Sequence, residues 1–443
     1  MKILQVTPFF KPLWESGGVA RVAYDISRNL HENGHEITVY TTNRSIYPND
    51  LPTNRMTCVD GMNVYYFENL RKYIPSMTPP VVPYHMPTVA RREIAQFDVI
   101  HIHDHRTLLT VIASHYAMKH GVPYVLQAHG ALPQDTGSTR MKRLFDLFWA
   151  KKVILGAEGV IALNETEAEH YRELGVDDDR IAIIPNGIDL AEYPDLPVRG
   201  NFRATWGISD HAKIVLYLGR LDPTKGIDIL IRSFAVVARE FDDAVLVLVG
   251  GNMGYDEGFK EQVRLLGLDD RVIFTGFVSK EDKMAAFTDA DVFVTPSFTG
   301  FPITFLESCL CGTPIVTTGR GDLLTWIEDT VGYTTSTLLR RSPAPSCICL
   351  PMTPCGPDLA KKRRILYGRS TTGRRSSARS KPYTLTSQVG PGVSQALVRI
   401  HAPRPTLDAT FGVSLPHTAG LYDRRWLGVP EGGGRNVGGS STG

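Results

Sequence analysis

Between Lys2 and Tyr333 the chain alternates short apolar strands with helical patterns, and it runs through that series twice. Such a rhythm constrains the fold strongly. Parallel neighbours in a sheet need a crossover helix between them, so strand–helix alternation implies parallel sheets covered on both faces. The first series predicts strands at 3–6, 36–40, 99–103, 124–127, 159–163 and 181–184, with helices at 19–30, 107–120 and 165–174. Residues 44–97 are less regular, contain several prolines and are expected to cover one edge. The second series predicts strands at 214–218, 245–249, 272–275, 292–295 and 315–317, with helices at 226–240, 257–266, 281–290, 301–311 and 323–328. Between the two, residues 185–197 (PNGIDLAEYPDLP) carry an Asn-Gly turn and two later prolines and read as a linker. The expected fold class is α/β, with doubly wound domains at 1–195 and 196–333 facing a cleft at their strand ends.

At 443 residues the chain is too long for one ordinary core, in keeping with two domains. Its net charge of +2 conceals an asymmetry: residues 1–333 hold 32 Lys and Arg against 42 Asp and Glu, whereas residues 334–443 hold 16 against 4. Met1 and Lys2 run straight into an apolar strand with no cleavage pattern, and no run reaches the ~18–20 apolar residues of a membrane span. Six cysteines in so long a chain give no disulfide framework. A cytoplasmic protein is the expectation.

After Tyr333 the character of the chain changes. Ser, Thr, Gly and Pro make up nearly half of residues 334–443, and no helical or strand period is sustained. We expect a basic, low-complexity, disordered tail, with a shifted reading frame near residue 334 as the favoured origin and a natural tail as the alternative. Cys347, Cys349 and Cys355 fit no standard zinc spacing. The basic runs at 361–364 and 374–375 lack the interleaved aromatics of a nucleic-acid surface, so no nucleic-acid partner is expected.

The most chemically informative stretch is 296–318, PSFTGFPITFLESCLCGTPIVTT. A β-branched strand ends in Pro-Ser, a Gly300-Phe301-Pro302 turn follows, and a helix pattern then carries Glu307. In an open α/β sheet, ligands sit where strands end and helices begin, and backbone N–H groups there receive phosphate. Glu307 stands where it can accept hydrogen bonds from ribose hydroxyls. The segment resembles the donor-binding signature of GT-B glycosyltransferases of family 4, in which a Glu, seven residues and a second Glu follow one another. Here Glu307 is the second of the pair, and Thr299 occupies the place of the first.

The resemblance covers about residues 1–333. It implies a GT-B fold of two Rossmann-like domains and a retaining transferase that moves a sugar from a nucleotide diphosphate donor to a glycan or lipid-linked acceptor, with no cofactor. It also implies further closing helices after residue 333 that are not visible, so the second domain is expected to be incomplete. Thr299 cannot supply the negative charge of the family's first Glu, which makes a nucleotide-sugar-binding protein with little or no turnover the alternative. A nucleotide-sugar 2-epimerase or a phosphorylase is a third reading, against which no lysine site for pyridoxal phosphate is seen.

Other residues fit the same plan. Gly17 and Gly18 follow the first strand and open a helix, where a diphosphate can approach the backbone. Their spacing is not the Gly-x-Gly-x-x-Gly of a dinucleotide fold, and a Gly-Gly pair alone is also an ordinary turn. Arg220 and Lys225 place two cations at one strand end, suited to neutralising a diphosphate leaving group. His129 ends the strand YVLQ beside Gly130, where it can meet a sugar hydroxyl or serve as a structural histidine. The resemblance assigns Gly17, Gly18, His129, Arg220 and Lys225 to donor binding and catalysis. It also implies base contacts from the backbone of Val278, and donor contacts at Thr299, Gly300, Phe301, Pro302 and Ile303.

Two further patterns leave alternatives open. His101, His103 and His105 alternate around Asp104, which invites a metal reading. On one face of an extended strand they would stand about 6–7 Å apart, and we read them as closing the crevice, with no metal. Residues 140–152, RMKRLFDLFWAKK, combine basic residues with Phe145, Leu147, Phe148 and Trp149. Such a helix either rests on anionic lipid at the inner face of a membrane or turns its apolar side into the core.

Overall fold

The structure, a computed structural model, describes residues 1–335 apart from 15–16, 46–48, 71–80, 134–138, 252–254, 299, 319–326 and 328–330. The first half runs β1 (Lys2–Val6), α1 (Gly18–Glu32), β2 (Glu36–Thr42), β3 (Met56–Val59), β4 (Met62–Phe67), α2 (Met86–Glu93), β5 (Val99–His103), α3 (Leu108–His120) and β6 (Tyr124–Gln127). It continues with α4 (Thr139–Phe145), a π-helical turn (Asp146–Ala150), α5 (Lys151–Leu155), β7 (Gly159–Ala162), α6 (Glu165–Glu173) and β8 (Ile181–Ile183). The second half holds α7 (Asn201–Trp206), β9 (Lys213–Leu218), α8 (Ile227–Glu240), β10 (Ala244–Val249), α9 (Asp256–Leu265), β11 (Val272–Gly276) and α10 (Lys280–Asp289). It closes with β12 (Val292–Thr295), α11 (Ile303–Cys311), β13 (Ile315–Thr318) and β14 (Gly332–Thr335).

Each half makes one doubly wound sheet. The first has the order β3-β4-β2-β1-β5-β6-β7-β8 and the second β11-β10-β9-β12-β13-β14. Except for the β3–β4 hairpin, all named pairs are parallel. Strand alternation feeds two layers of core: Leu4 and Val6 pack on one face of the first sheet, Ile3 and Val39 on the other. In the second sheet Val215 and Tyr217 face one layer, and Ile214 and Leu216 the other. Burial on both faces is why these strands read as nearly continuous apolar runs. In each sheet the winding reverses beside the first strand, between β1 and β5 and between β9 and β12. The loops leaving that pair diverge to opposite faces and open a crevice at the strand ends.

Some details differ from the expectations. The irregular stretch 44–97 does cover an edge, but as an ordered hairpin: β3 and β4 pair antiparallel around Asp60 (φ 50°) and Gly61 (φ 81°), and β4 adds in parallel to β2. Two successive positive φ values are the signature of a tight hairpin turn whose twist matches its strands. The second sheet also runs two residues past the expected end at 333, because Thr334 and Thr335 pair with Thr317 and Thr318. Most of the helix expected at 323–328, and the tail from 336 onward, lie outside the described residues.

Candidate active site

β9 delivers Gly219 and Arg220 to the crevice of the second sheet. The Arg220 side chain is 43% exposed, and its guanidinium stands 3.7 Å from Asp222. Asp222 is buried and caps the turn Pro223–Lys225, accepting from the Thr224 N–H at 2.9 Å. Lys225 ends that turn, half-buried, and Gly226 (φ 72°) starts α8. This loop leaves no room for side chains behind it: a Cβ on Gly250 would stand 1.8 Å from the Gly219 carbonyl oxygen. The structure thus brings Arg220 and Lys225 to one strand end, with one carboxylate set back to orient the arginine.

Across the switch point, the loop after β12 leads to α11, capped by Pro302 and begun by Ile303. Glu307 lies inside that helix, buried, and is bound by Lys283 of α10 and by the Tyr193 hydroxyl at 2.9 Å. Phe301 packs against the second core, and its carbonyl accepts from Asn186 Nδ2 at 2.8 Å. Val278 packs on the same core. Tyr193 and Asn186 belong to the linker, which is itself pinned to both halves. Arg28 of α1 reaches Asp189 at 2.6 Å and Glu192 at 2.7 Å, Arg21 also binds Glu192, and Lys280 of α10 reaches Glu192 at 2.8 Å. Thr299 lies outside the described residues.

In the first half the site is built from histidines. β5 ends at His103, and Asp104 takes φ 70°, so His105 falls off the strand. The expected three-histidine face is therefore wrong: the chain turns before its third member. The two that remain are closer than an extended strand suggests, with ring centroids 4.1 Å apart, because the imidazoles tilt together. His103 continues the stack to His129, Nδ1 to Nε2 at 2.9 Å, and its own Nε2 meets Gln5 Oε1 at 2.9 Å. Burial drives all four histidines toward the neutral form. It lowers His101 to about 4 and both His105 and His129 to about 3, and it holds His103 well below its ordinary value. Among the described residues no group of three or more His, Cys, Asp or Glu is placed to hold a metal ion.

His129 sits at φ 55°, a left-handed backbone that side-chain-bearing residues avoid unless neighbours enforce it. Two residues of α6 do so. Glu167 accepts from the Gly130 N–H at 2.6 Å and from the Leu163 N–H at 2.7 Å, and the Tyr171 hydroxyl accepts from the Ala128 N–H at 3.1 Å. The halves of the molecule touch at this point. A Cβ on Gly300 (φ 65°) would stand 3.1 Å from the His129 carbonyl oxygen and 2.9 Å from Leu163. Gly17 (φ 98°) caps α1 and Gly18 is its first residue, with nothing within 4 Å of either Cβ position. Sequence reasoning missed Gln5, Lys283, Tyr193, Glu167 and Asp222. Only Asp222 carried a local signal, as a capping residue before Pro223.

Two doubly wound domains that meet through their strand ends, one side cationic and the other lined with neutral imidazoles, have the architecture of a GT-B transferase. The family model described as Glycosyltransferase Family 4 matches residues 16–192, and the one described as Glycosyl transferases group 1 matches 198–337. The chain belongs to this family, the GT-B glycosyltransferases of family 4 and group 1. It is 28% identical over 357 residues to an uncharacterized glycosyltransferase of Methanocaldococcus jannaschii, covering 75% of this chain and 84% of that one. It is 25% identical over 343 residues to the D-inositol 3-phosphate glycosyltransferase of Kineococcus radiotolerans, covering 71% and 76%. Among solved structures, Anabaena HepE in complex with UDP and glucose superposes with a TM-score of 0.59 at 20% identity, covering 76% of this chain and 87% of that one.

Proposed function

We propose that this glycosyltransferase takes its sugar from a nucleotide diphosphate donor and passes it, with retention, to a glycan or glycolipid acceptor at the inner face of a membrane. The observation that carries the donor reading is the Arg220–Lys225 turn at the switch point of the second sheet. Cations held there stabilise the diphosphate as negative charge develops on it. In this reading Glu307, which is bound by Lys283 and Tyr193, receives ribose hydroxyls, and the backbone of Gly300 to Ile303 contacts the sugar and phosphates. The His129 backbone borders Gly300 from the other half, and in this reading its ring meets the transferred sugar. The HepE complex with UDP and glucose supports this reading, as do the relatives named as glycosyltransferases. With no covalent nucleophile assigned, the acceptor attacks on the face from which the diphosphate leaves, and closure of the halves excludes water. Arg220 and Lys225 carry the charge work, so chelation is expected to leave turnover unchanged.

The membrane part rests on the segment after His129. Leu147 is 77% exposed and Phe148 61%, with Leu144 and Trp149 also outside the core. Arg143, Lys151 and Lys152 are exposed beside them. Arg106 ties this π turn to the site, binding Asp146 at 2.8 Å and the Leu132 carbonyl at 2.7 Å. An apolar tip ringed with cations suits an anionic lipid surface, and among the described residues no helix is long and apolar enough to cross a membrane. A second reading, nucleotide-sugar binding with little turnover, is favoured by Thr299 in place of the family's first Glu. A panel of UDP-, GDP- and ADP-sugars offered with lipid-linked and free glycan acceptors separates the two. Product with the donor's anomeric configuration supports transfer, and donor binding without product establishes the second reading.

A further inference from the structure

Gln5 on β1, His103 on β5 and His129 after β6 form a chain of two hydrogen bonds that crosses three neighbouring strands. Its polarity follows from its inner end. Gln5 Oε1 is an acceptor, so the proton of His103 is on Nε2 and its Nδ1 is bare. A bare Nδ1 can only accept, so the bond from His129 is donated by an Nε2–H. Burial keeps both rings neutral, and each therefore carries a single N–H. His129 Nδ1 is then left without a proton. It has no hydrogen-bond partner among the described residues, and His129 is only half-buried.

We propose that Gln5 and His103 are positioning residues that fix His129 as its Nε2–H tautomer, so that it presents Nδ1 to the donor sugar as a hydrogen-bond acceptor. The sugar class this selects carries a free hydroxyl at the position facing His129. A deoxy or O-alkylated sugar there has no proton to give and leaves the lone pair unpaired, which costs more than the bond itself is worth. The backbone clamp from Glu167 and Tyr171 complements the relay: one holds the left-handed turn, the other holds the ring. The sugar part of this inference rests on the donor reading given above, whereas the tautomer does not.

The test is long-range nitrogen–proton NMR of the full chain with isotope-labelled histidine, His129 being assigned by comparison with His129→Gln. The expected result is a protonated Nε2 and a bare Nδ1 on His129 in the unliganded wild-type protein. In Gln5→Met, which is nearly isosteric and lacks the acceptor, the signature shifts toward the other tautomer, and in Gln5→Glu it is retained. Calorimetry gives the second readout. Gln5→Met is expected to weaken UDP-glucose about fivefold to tenfold while leaving UDP unchanged, with Gln5→Glu restoring the difference. A His129 protonated on Nδ1 in the wild type overturns the relay without any variant. So does a signature unmoved in a folded Gln5→Met protein. If the wild type binds neither UDP nor UDP-glucose, the donor reading fails, and the tautomer still decides the relay.

Discussion

The two lips of the crevice offer opposite chemistry. On the second domain, Arg220, Lys225 and the Lys283–Glu307 ion pair line the crevice, with the Arg220 side chain 43% exposed. On the first domain, His101, His103 and His105 are buried and His129 is half-buried; burial keeps all four neutral, and His103 bonds both His129 and Gln5. A diphosphate needs full charges at short range, and these remain useful in water when the ligand supplies the countercharge. A sugar is neutral and is distinguished by where its hydroxyls point, so neutral groups of fixed polarity suit it better. In the proposed reading, the second lip supplies binding strength and the first supplies discrimination.

Acid should break the first lip before the second, and this is the largest effect we expect. The unfolded histidine value near 6.5 lies above the folded values of about 4 for His101 and about 3 for His105 and His129. Stability is therefore complete above about pH 6.5 and is lost as pH falls toward those folded values, by up to about 1.4 kcal/mol per pH unit for each histidine. The carboxyls of Asp104 and Glu167, which burial pushes up, work in the opposite direction and soften the slope. Denaturant unfolding from pH 7.5 to 5 should show net proton uptake on unfolding. A flat profile would mean that the histidines are solvated.

Glycine geometry offers a sharper contrast within the second lip. Gly250→Ala puts a methyl group onto the Gly219 carbonyl and should cost on the order of 4 kcal/mol while displacing the Arg220 turn. Gly18→Ala, in open space at the start of α1, should change stability by less than about 0.5 kcal/mol. Unfolding midpoints of the two variants check this directly. A smaller effect is expected outside the crevice. Leu147→Ser with Phe148→Ser should reduce flotation with anionic liposomes severalfold and spare donor binding, since both side chains are exposed. Unchanged flotation would remove the membrane contact.

How much of this was legible depended on where the information lies along the chain. Strands at 99–103, 124–127 and 292–295 were read to the residue, because an apolar run buried on both faces needs no partner to be recognised. The β3–β4 hairpin was passed over although Asp60-Gly61 between apolar residues is its local signal; the surrounding prolines masked it. At the site, Arg220, Lys225 and Glu307 stood out by their position at strand and helix ends. Their environment did not: Glu307 binds Tyr193, 114 residues away, and Lys283, 24 residues away. Gln5 lies 98 residues from His103, and only the β1–β5 pairing brings them together. The alternation that suggested three histidines on one face failed at Asp104, whose left-handed backbone ends the strand.

The central claim is that the charged lip holds the nucleotide diphosphate while the neutral lip reads the sugar. Calorimetry of UDP and UDP-glucose with wild type, Arg220→Ala and His129→Gln tests it most directly. The account predicts that Arg220→Ala weakens both ligands about tenfold to a hundredfold, whereas His129→Gln weakens UDP-glucose and leaves UDP unchanged. UDP affinity untouched by Arg220→Ala, or lost in His129→Gln, would contradict it.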